Sequence, residues 1–105
     1  EMQDAEQERI WREQCTGSGS LISFEIKGGE KEAFKILNSF EVCKLAVSLG
    51  GTESLVQHPS TMTHSDLDEN TKIEAGITDS MIRLSVGIEN EFDLLADVKQ
   101  ALDSI

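Results

Sequence analysis

The chain has 105 residues, a length that suits one domain with its own core. Its formal net charge is −11, with nine Lys and Arg against 20 Asp and Glu, and this balance argues against nucleic acid and anionic membrane surfaces as partners. No stretch approaches the roughly 20 apolar residues that a membrane-spanning helix needs.

The first half of the chain predicts helices and strands in alternation. Residues 2–14 are rich in helix formers, and a Gly- and Ser-rich segment ends this helix. Residues 21–26 alternate apolar and polar side chains, as a half-buried strand does. Residues 30–40 predict a second helix, and the apolar run 42–49 predicts a second strand that ends at a glycine turn. The apolar face of the second helix contains Ala33, Phe34, Ile36, Leu37 and Phe40.

The middle of the chain has weaker patterns. Residues 52–65 contain Pro59 and many Ser and Thr without a sustained period, which predicts a long irregular connection. Asp68 is a candidate N-cap for a short helix, and Gly76 is placed to end it.

The last two elements are a strand and a helix. Residues 81–86 predict a strand, and a last helix runs from the cap residue Asn90 to about Ser104. One face of the strand holds Ile82, Leu84 and Val86, and the other holds Met81, Arg83 and Ser85. The apolar positions of the last helix are Phe92, Leu94, Leu95, Val98, Ala101, Leu102 and Ile105. Three strands with helices between them indicate a small α/β domain whose sheet is covered by helices on one face.

The cysteines and histidines do not form a metal-binding pattern. Cys15 and Cys43 are far apart, so we expect reduced thiols, with Cys43 in the core and Cys15 near a helix end. His58 and His64 lack companion ligands at helical spacing. For His64 we favour a buried, hydrogen-bonded side chain that shapes the loop over a catalytic base.

Arg83 and the segment 48–51 are the candidate functional residues. A guanidinium inside an apolar strand needs an anionic partner, because its unpaired burial is costly. That partner is either an acidic side chain of this chain or a ligand carboxylate, which the planar fork of arginine matches. The Ser-Leu-Gly-Gly turn lets backbone N–H groups approach a ligand, or it is a turn and nothing more. Spacing alone favours the internal salt bridge and the simple turn.

Several short sequence motifs, taken together, resemble those of one family. They are Ser48-Leu49-Gly50-Gly51-Thr52-Glu53-Ser54-Leu55, Gln57-His58-Pro59, Met62-Thr63-His64-Ser65, Gly76-Ile77 and Ile82-Arg83-Leu84-Ser85-Val86-Gly87-Ile88-Glu89. They resemble the C-terminal domain of the pyridoxal-phosphate-dependent Cys/Met metabolism (trans-sulfuration) enzymes, which include methionine γ-lyase and cystathionine γ-lyase. The resemblance covers nearly the whole chain. It implies the small domain of a fold-type I enzyme, an α+β-type two-layer sandwich of three to four mainly antiparallel strands.

The resemblance also implies roles for individual residues. Arg83 would bind the α-carboxylate of an amino-acid substrate, with Ser48 at the same carboxylate site. The residue before this serine helps to sort substrates in the family, and the apolar Val47 suits a methyl thioether better than the charged end of cystathionine. Leu49 is placed at the substrate site with these residues. The implied reaction is a γ-elimination of methionine/cystathionine γ-lyase type that gives α-ketobutyrate, ammonia and a thiol. A cytoplasmic homotetramer is also implied.

One family feature is missing from the chain. The cofactor lysine lies in an S-x-T-K motif in the family, and this sequence contains no such motif. We therefore assign no catalytic, cofactor-binding or metal-binding residue to this chain. We expect residues 1–105 to be a single C-terminal domain of a much longer enzyme, inactive alone, with the large pyridoxal-phosphate domain as its partner. Cystathionine γ-synthase or O-acetylhomoserine sulfhydrylase remains an alternative within the family, and a non-catalytic binding or assembly domain is the alternative of another class.

Overall fold

The computed structural model describes residues 4–105. The predicted beginning of the first helix, at Met2, lies outside this range. The elements in chain order are α1 (Ala5–Gln14), β1 (Leu21–Glu25), α2 (Glu30–Leu37), β2 (Lys44–Leu45), β3 (Leu55–Gln57), α3 (Glu69–Glu74), β4 (Met81–Ser85) and α4 (Glu91–Leu102).

The strands form one four-stranded sheet in the order β1-β4-β3-β2. β4 pairs antiparallel with both β1 and β3, and β2 pairs parallel with β3. This mixed, mainly antiparallel sheet confirms the predicted fold class. α2 and α4 lie against one face and contribute Ala33, Ile36, Leu37 and Ala101 to the core, which the sheet completes with Val56, Ile82 and Leu84.

β3 was not predicted from the sequence. It lies within residues 52–65, so the prediction of an irregular connection over that range is wrong at residues 55–57. β3 lies between β2 and β4, inside a run of seven consecutive buried residues, 54–60. Because this short strand is covered on both faces, it has no alternation of polar and apolar side chains that could reveal it.

The strand predicted over 42–49 is too long. Only Lys44 and Leu45 form β2. The backbone N–H of Ala46 still donates to Val56 O at 3.2 Å, and the chain then leaves the sheet. The rest of the apolar run is a loop, which we call the 47–51 loop.

The helix ends follow the predicted caps. The side chain of Asp68 accepts from Thr71 N, and Gly76 has the positive φ of 72° expected after a helix end. Asn90 caps α4 by accepting from Phe92 N and Asp93 N. The predicted apolar face of α4 is only partly buried: Leu94, Val98 and Ala101 pack on the core, whereas Phe92 and Leu95 are 71% and 67% exposed. Within the described range, the helices are all too short or too polar to span a bilayer.

Candidate functional site

The face of the sheet opposite to α2 and α4 carries the predicted arginine. Along β4 the side chains alternate, so Ile82 and Leu84 enter the core while Arg83 lies on the other face. Arg83 is directly opposite Ser23 of β1 and Gln57 of β3. Register therefore places one cation between two polar side chains on the same face.

The Arg83 side chain has no anionic partner among residues 4–105. The salt bridges found among these residues all involve other cations. Arg83 is half-buried, and its Nε is buried without a hydrogen-bond partner among residues 4–105. The internal salt bridge favoured by spacing alone is therefore not formed in the described part of the chain.

Gln57 links the 47–51 loop to the sheet. Its side chain is completely buried, and its Nε2 donates to Ser48 O at 3.2 Å. Its Oε1 is also buried and has no partner among the described residues. No role was predicted for Gln57 from the sequence. Its only unusual local feature is that it is polar and follows the apolar Leu55 and Val56, whereas the residues that it faces lie elsewhere in the chain.

The 47–51 loop lies across this face of the sheet. Gly50 has a φ of 74°, which favours glycine, and its N–H donates to Ser85 Oγ at 2.9 Å. Ser48 is exposed, and Val47 and Leu49 are 56% and 52% exposed. Gln57 thus contacts the backbone of Ser48 and lies opposite Arg83 in the β3–β4 register, and the side chains of Val47 and Leu49 are open to a ligand or another domain.

Glu89 holds the chain that follows the loop. Its carboxylate accepts from Ser54 N at 2.7 Å and from Ser54 Oγ at 2.8 Å. The same hydroxyl oxygen accepts from Gly87 N at 2.8 Å. The hydrogen bonds from the backbone and side chain of Ser54 lower the pKa of Glu89. This carboxylate is therefore an anionic anchor for the loop.

Asp97 of α4 holds the chain that precedes the loop. Its carboxylate accepts from the N–H groups of Glu41, Val42 and Cys43 at 2.8, 2.9 and 2.8 Å. Burial raises the pKa of Asp97, but these bonds, with one from Gln100, outweigh burial and bring the pKa below its ordinary value. Asp97 was not predicted as a structural residue, although it interrupts the apolar face of α4 between Leu94 and Ala101.

The cysteines match their predicted positions. Cys15 is exposed at the end of α1, and Cys43 is buried. Burial, followed by the nearby Asp97 carboxylate, raises the pKa of the Cys43 thiol to about 12. A thiol with such a pKa stays protonated near neutral pH, so Cys43 is a core residue and not a nucleophile.

The hydrogen bond predicted for His64 is present, but the predicted burial is wrong, and the fully buried histidine of this loop is His58. His58 is fully buried, and its two ring nitrogens lie 2.8 Å from Thr61 Oγ1 and 2.8 Å from Asp79 O. His64 is half-buried and contacts the hydroxyl of Thr63 at 2.7 Å. Both histidines have structural partners. Residues 4–105 contain no group of three His, Cys, Asp or Glu side chains that could hold a metal ion.

Comparisons with known proteins identify relatives that match most of this chain. L-methionine gamma-lyase of Fusobacterium nucleatum subsp. polymorphum is 49% identical over 96 residues, which are 91% of this chain and 24% of that protein. Cystathionine gamma-lyase of Macaca fascicularis is 47% identical over 96 residues, with the same shares of the two chains. A Campylobacter jejuni subsp. jejuni structure, assigned as an O-acetylhomoserine (thiol)-lyase and containing N'-pyridoxyl-lysine-5'-monophosphate, superposes with a TM-score of 0.90 at 38% identity, over 97% of this chain and 24% of that one.

The sequence matches the Cys/Met metabolism PLP-dependent enzymes over residues 1–103, and the chain belongs to this family. The predicted resemblance is thereby confirmed, and with it the dependence of the family on pyridoxal phosphate. The family is one of enzymes, and the chain therefore belongs to an enzyme family. The chain spans about a quarter of the length of the relatives named above.

The described residues do not fit the cofactor itself. The chain lacks the S-x-T-K motif, and five of its six lysines are exposed. The buried one, Lys72, pairs with Glu69 at 3.4 Å on α3. No step of the cofactor's chemistry can therefore be assigned to these residues, and the site that they do form is suited to a carboxylate.

Proposed function

We propose that this chain is the domain of a pyridoxal-phosphate-dependent lyase that binds the α-carboxylate of an amino-acid substrate. The observation that supports this proposal most directly is Arg83, a half-buried guanidinium without an acidic partner among residues 4–105, next to a loop of exposed backbone. A substrate carboxylate would supply the missing anion through two parallel N–H···O bonds. Ser48 would contact the same carboxylate from the 47–51 loop.

The proposed reaction is γ-elimination from a sulfur amino acid, of the methionine/cystathionine γ-lyase type. The relatives named L-methionine gamma-lyase and cystathionine gamma-lyase support this class. Within the class we favour methionine, because the exposed Val47 and Leu49 offer apolar contact to a thioether and no charge for a distal amino-acid group. The products would be α-ketobutyrate, ammonia and methanethiol.

The test uses the longest natural protein that contains this chain, loaded with pyridoxal phosphate. We expect Arg83→Lys to lower kcat/KM for methionine by about 100-fold, since lysine keeps the charge but loses the bidentate contact. Release of α-ketobutyrate and methanethiol is the measurement, with cystathionine as the competing substrate. Arg12→Lys is the matched control, because Arg12 pairs with Glu8 on the exposed surface of α1.

Two results would contradict the proposal. Unchanged steady-state constants in Arg83→Lys would remove the carboxylate site. A higher kcat/KM for cystathionine than for methionine would remove the substrate preference assigned to Val47, while leaving the carboxylate site intact.

A synthase or sulfhydrylase of the same family is a second candidate. It is favoured by the TM-score of 0.90 with the structure assigned as an O-acetylhomoserine (thiol)-lyase. Formation of a thioether from an activated homoserine ester and a thiol, without α-ketobutyrate from methionine, would select this candidate. Arg83 would bind the substrate carboxylate in either reaction.

The proposal also covers the neighbouring domain, the oligomeric state and the cellular location. We propose that residues 1–105 act as one domain beside a larger pyridoxal-phosphate-binding domain, in a cytoplasmic homotetramer, and that this domain has no lyase activity alone. The exposed apolar side chains of the 47–51 loop are consistent with a neighbouring domain. Sedimentation of the longer protein tests the tetramer, an activity assay of residues 1–105 tests their inactivity alone, and cell fractionation tests the cytoplasmic location.

A further inference from the structure

We propose that Gln57 is a positioning residue that fixes the Arg83 guanidinium through a hydrogen bond from Arg83 Nε to Gln57 Oε1. This inference deepens the proposed function and rests on it. In the bound arrangement, Gln57 would hold the Nε–H and leave the two terminal amino groups of Arg83 for the substrate carboxylate. The carboxylate is then recognised end-on by those two groups.

The argument begins with two buried atoms that lack partners. Arg83 Nε is a donor and Gln57 Oε1 is an acceptor, and both are buried without a hydrogen bond to residues 4–105. The two residues are directly opposed in the β3–β4 register, so their side chains leave the same face of the sheet. Opposed antiparallel residues have Cβ atoms about 5 Å apart, which is within reach of these two long side chains. Each atom is the partner that the other needs.

The orientation of the Gln57 amide supports the same pairing. Its Nε2 donates to Ser48 O at 3.2 Å, so its oxygen is the end left for another donor. In the flipped orientation the amide oxygen would face the carbonyl oxygen of Ser48, and the NH₂ group would face the cationic guanidinium. Both contacts would be unfavourable. Gln57 can therefore join the loop that carries Ser48 to the guanidinium of Arg83.

The first test observes the Nε–H group itself in the 105-residue chain. The sequence contains three arginines, and those at positions 9 and 12 donate from Nε to Glu6 at 3.0 Å and to Glu8 at 2.9 Å on exposed α1. In a ¹⁵N-arginine NMR spectrum these two give internal reference signals, and Arg83→Lys identifies the third. We expect slow hydrogen exchange at Arg83 Nε, further slowed by a substrate-like carboxylate such as norleucine.

Substitutions then separate positioning from general stability. Gln57→Met keeps the length of the side chain but removes both polar ends, and we expect it to speed exchange at Arg83 Nε. Gln57→Glu keeps an acceptor for Nε, and we expect it to restore slow exchange. Gln14→Met is the matched control, because Gln14 is exposed at the end of α1, and it should leave the Arg83 signal unchanged.

Kinetics of the longer, cofactor-loaded protein give the second measurement. We expect Gln57→Met to raise KM for methionine about tenfold with a smaller change in kcat, since a less ordered arginine weakens carboxylate binding. If Arg83→Lys impairs the enzyme but Gln57→Met alters neither KM nor the Nε exchange, the positioning role is overturned and the proposed function stands. If Arg83→Lys has no effect, the proposed function itself fails. If Gln57→Met does not fold, fast Nε exchange in a folded Gln57→Glu variant overturns the positioning role.

Discussion

Gly87 shows how closely single residues are fitted around the candidate site. It follows β4 and lies against the chain that leads into β3. A Cβ atom built on Gly87 would lie 2.3 Å from the carbonyl oxygen of Thr52 and 2.6 Å from the carbonyl carbon of Glu53. Both are backbone atoms, so a rotamer change cannot relieve the contact. The loop that carries Ser48 therefore depends on a residue without a side chain at this point.

We expect Gly87→Ala to destabilise the protein by about 1–3 kcal/mol, the usual cost of overpacking a filled site. Thermal unfolding followed by circular dichroism measures the effect as a fall in Tm. Gly51→Ala is the control, because an added Cβ at that position in the 47–51 loop meets no atom within 4 Å. Equal melting temperatures for the two variants would contradict the tight approach at Gly87.

The two central residues of the site differ in how far the sequence could predict them. Arg83 was singled out because a cation within a short apolar strand is unusual in its local context, although only the resemblance to the family gave it a carboxylate-binding role. Gln57 was not, because its importance comes from Ser48, nine positions earlier, and from Arg83 on another strand. Contacts of this kind depend on the pairing of distant strands, which the local pattern of residues does not contain.

At the scale of elements, α4 is more than a cover for the core. Its Asp97 acts on the segment 41–43, more than fifty positions earlier, by accepting three backbone N–H groups. That segment leads into β2 and then into the 47–51 loop. The helix thus sets the path by which Ser48 reaches the sheet.

We expect Asp97→Asn to destabilise the protein by about 3 kcal/mol, because an amide of the same size loses the charge that strengthens these bonds. Chemical unfolding measures the loss. Hydrogen exchange should show it locally, with faster exchange at the amides of Glu41, Val42 and Cys43 than at those of α2. If exchange at these three amides were no faster in the variant than in the parent, Asp97 would not be the anchor of this segment.

Element by element, the predictions succeeded where the pattern was long and local. β1, β4, α2 and α4 were found because each carries at least five residues with a period, and α3 was found because of its cap. The strand predicted over 42–49 was found but is only two residues long, and the three-residue β3 was missed, because both are held by pairing with other strands. Phe92 and Leu95 were predicted on the apolar face of α4 but are exposed, because a helical period does not reveal how much of that face the rest of the fold covers.

At the scale of the whole molecule, the two faces of the sheet have different tasks. One face and its helices form the core, and the other presents Arg83, Gln57 and the 47–51 loop. The loop is held at both ends by carboxylates, Asp97 before it and Glu89 after it. Both anchors work as anions, so the stability of the domain and the order of its candidate site should depend on pH together.

The direction of that dependence follows from the pKa shifts. Hydrogen bonds from Ser54 lower the pKa of Glu89, and the cap bonds from Thr71 lower that of Asp68. For Asp97, burial raises the pKa, but the bonds from the segment 41–43 outweigh it and the net shift is downward. A group whose pKa is lower in the folded state stabilises that state above its unfolded pKa, and this contribution is lost as the pH falls through the folded value.

We therefore expect the free energy of unfolding to fall as the pH is lowered below about 5, where carboxylates of the unfolded chain begin to bind protons. Urea unfolding from pH 7 to pH 2.5 measures this slope. Asp97→Asn should lower stability at pH 7 and flatten the slope, because one of the groups responsible no longer titrates. Asp66→Asn, at an exposed position in the loop before α3, is the control and should leave the stability at pH 7 unchanged. An acid slope as steep in Asp97→Asn as in the parent would show that Asp97 is not the group being protonated, and Glu89→Gln would then be the variant expected to flatten it.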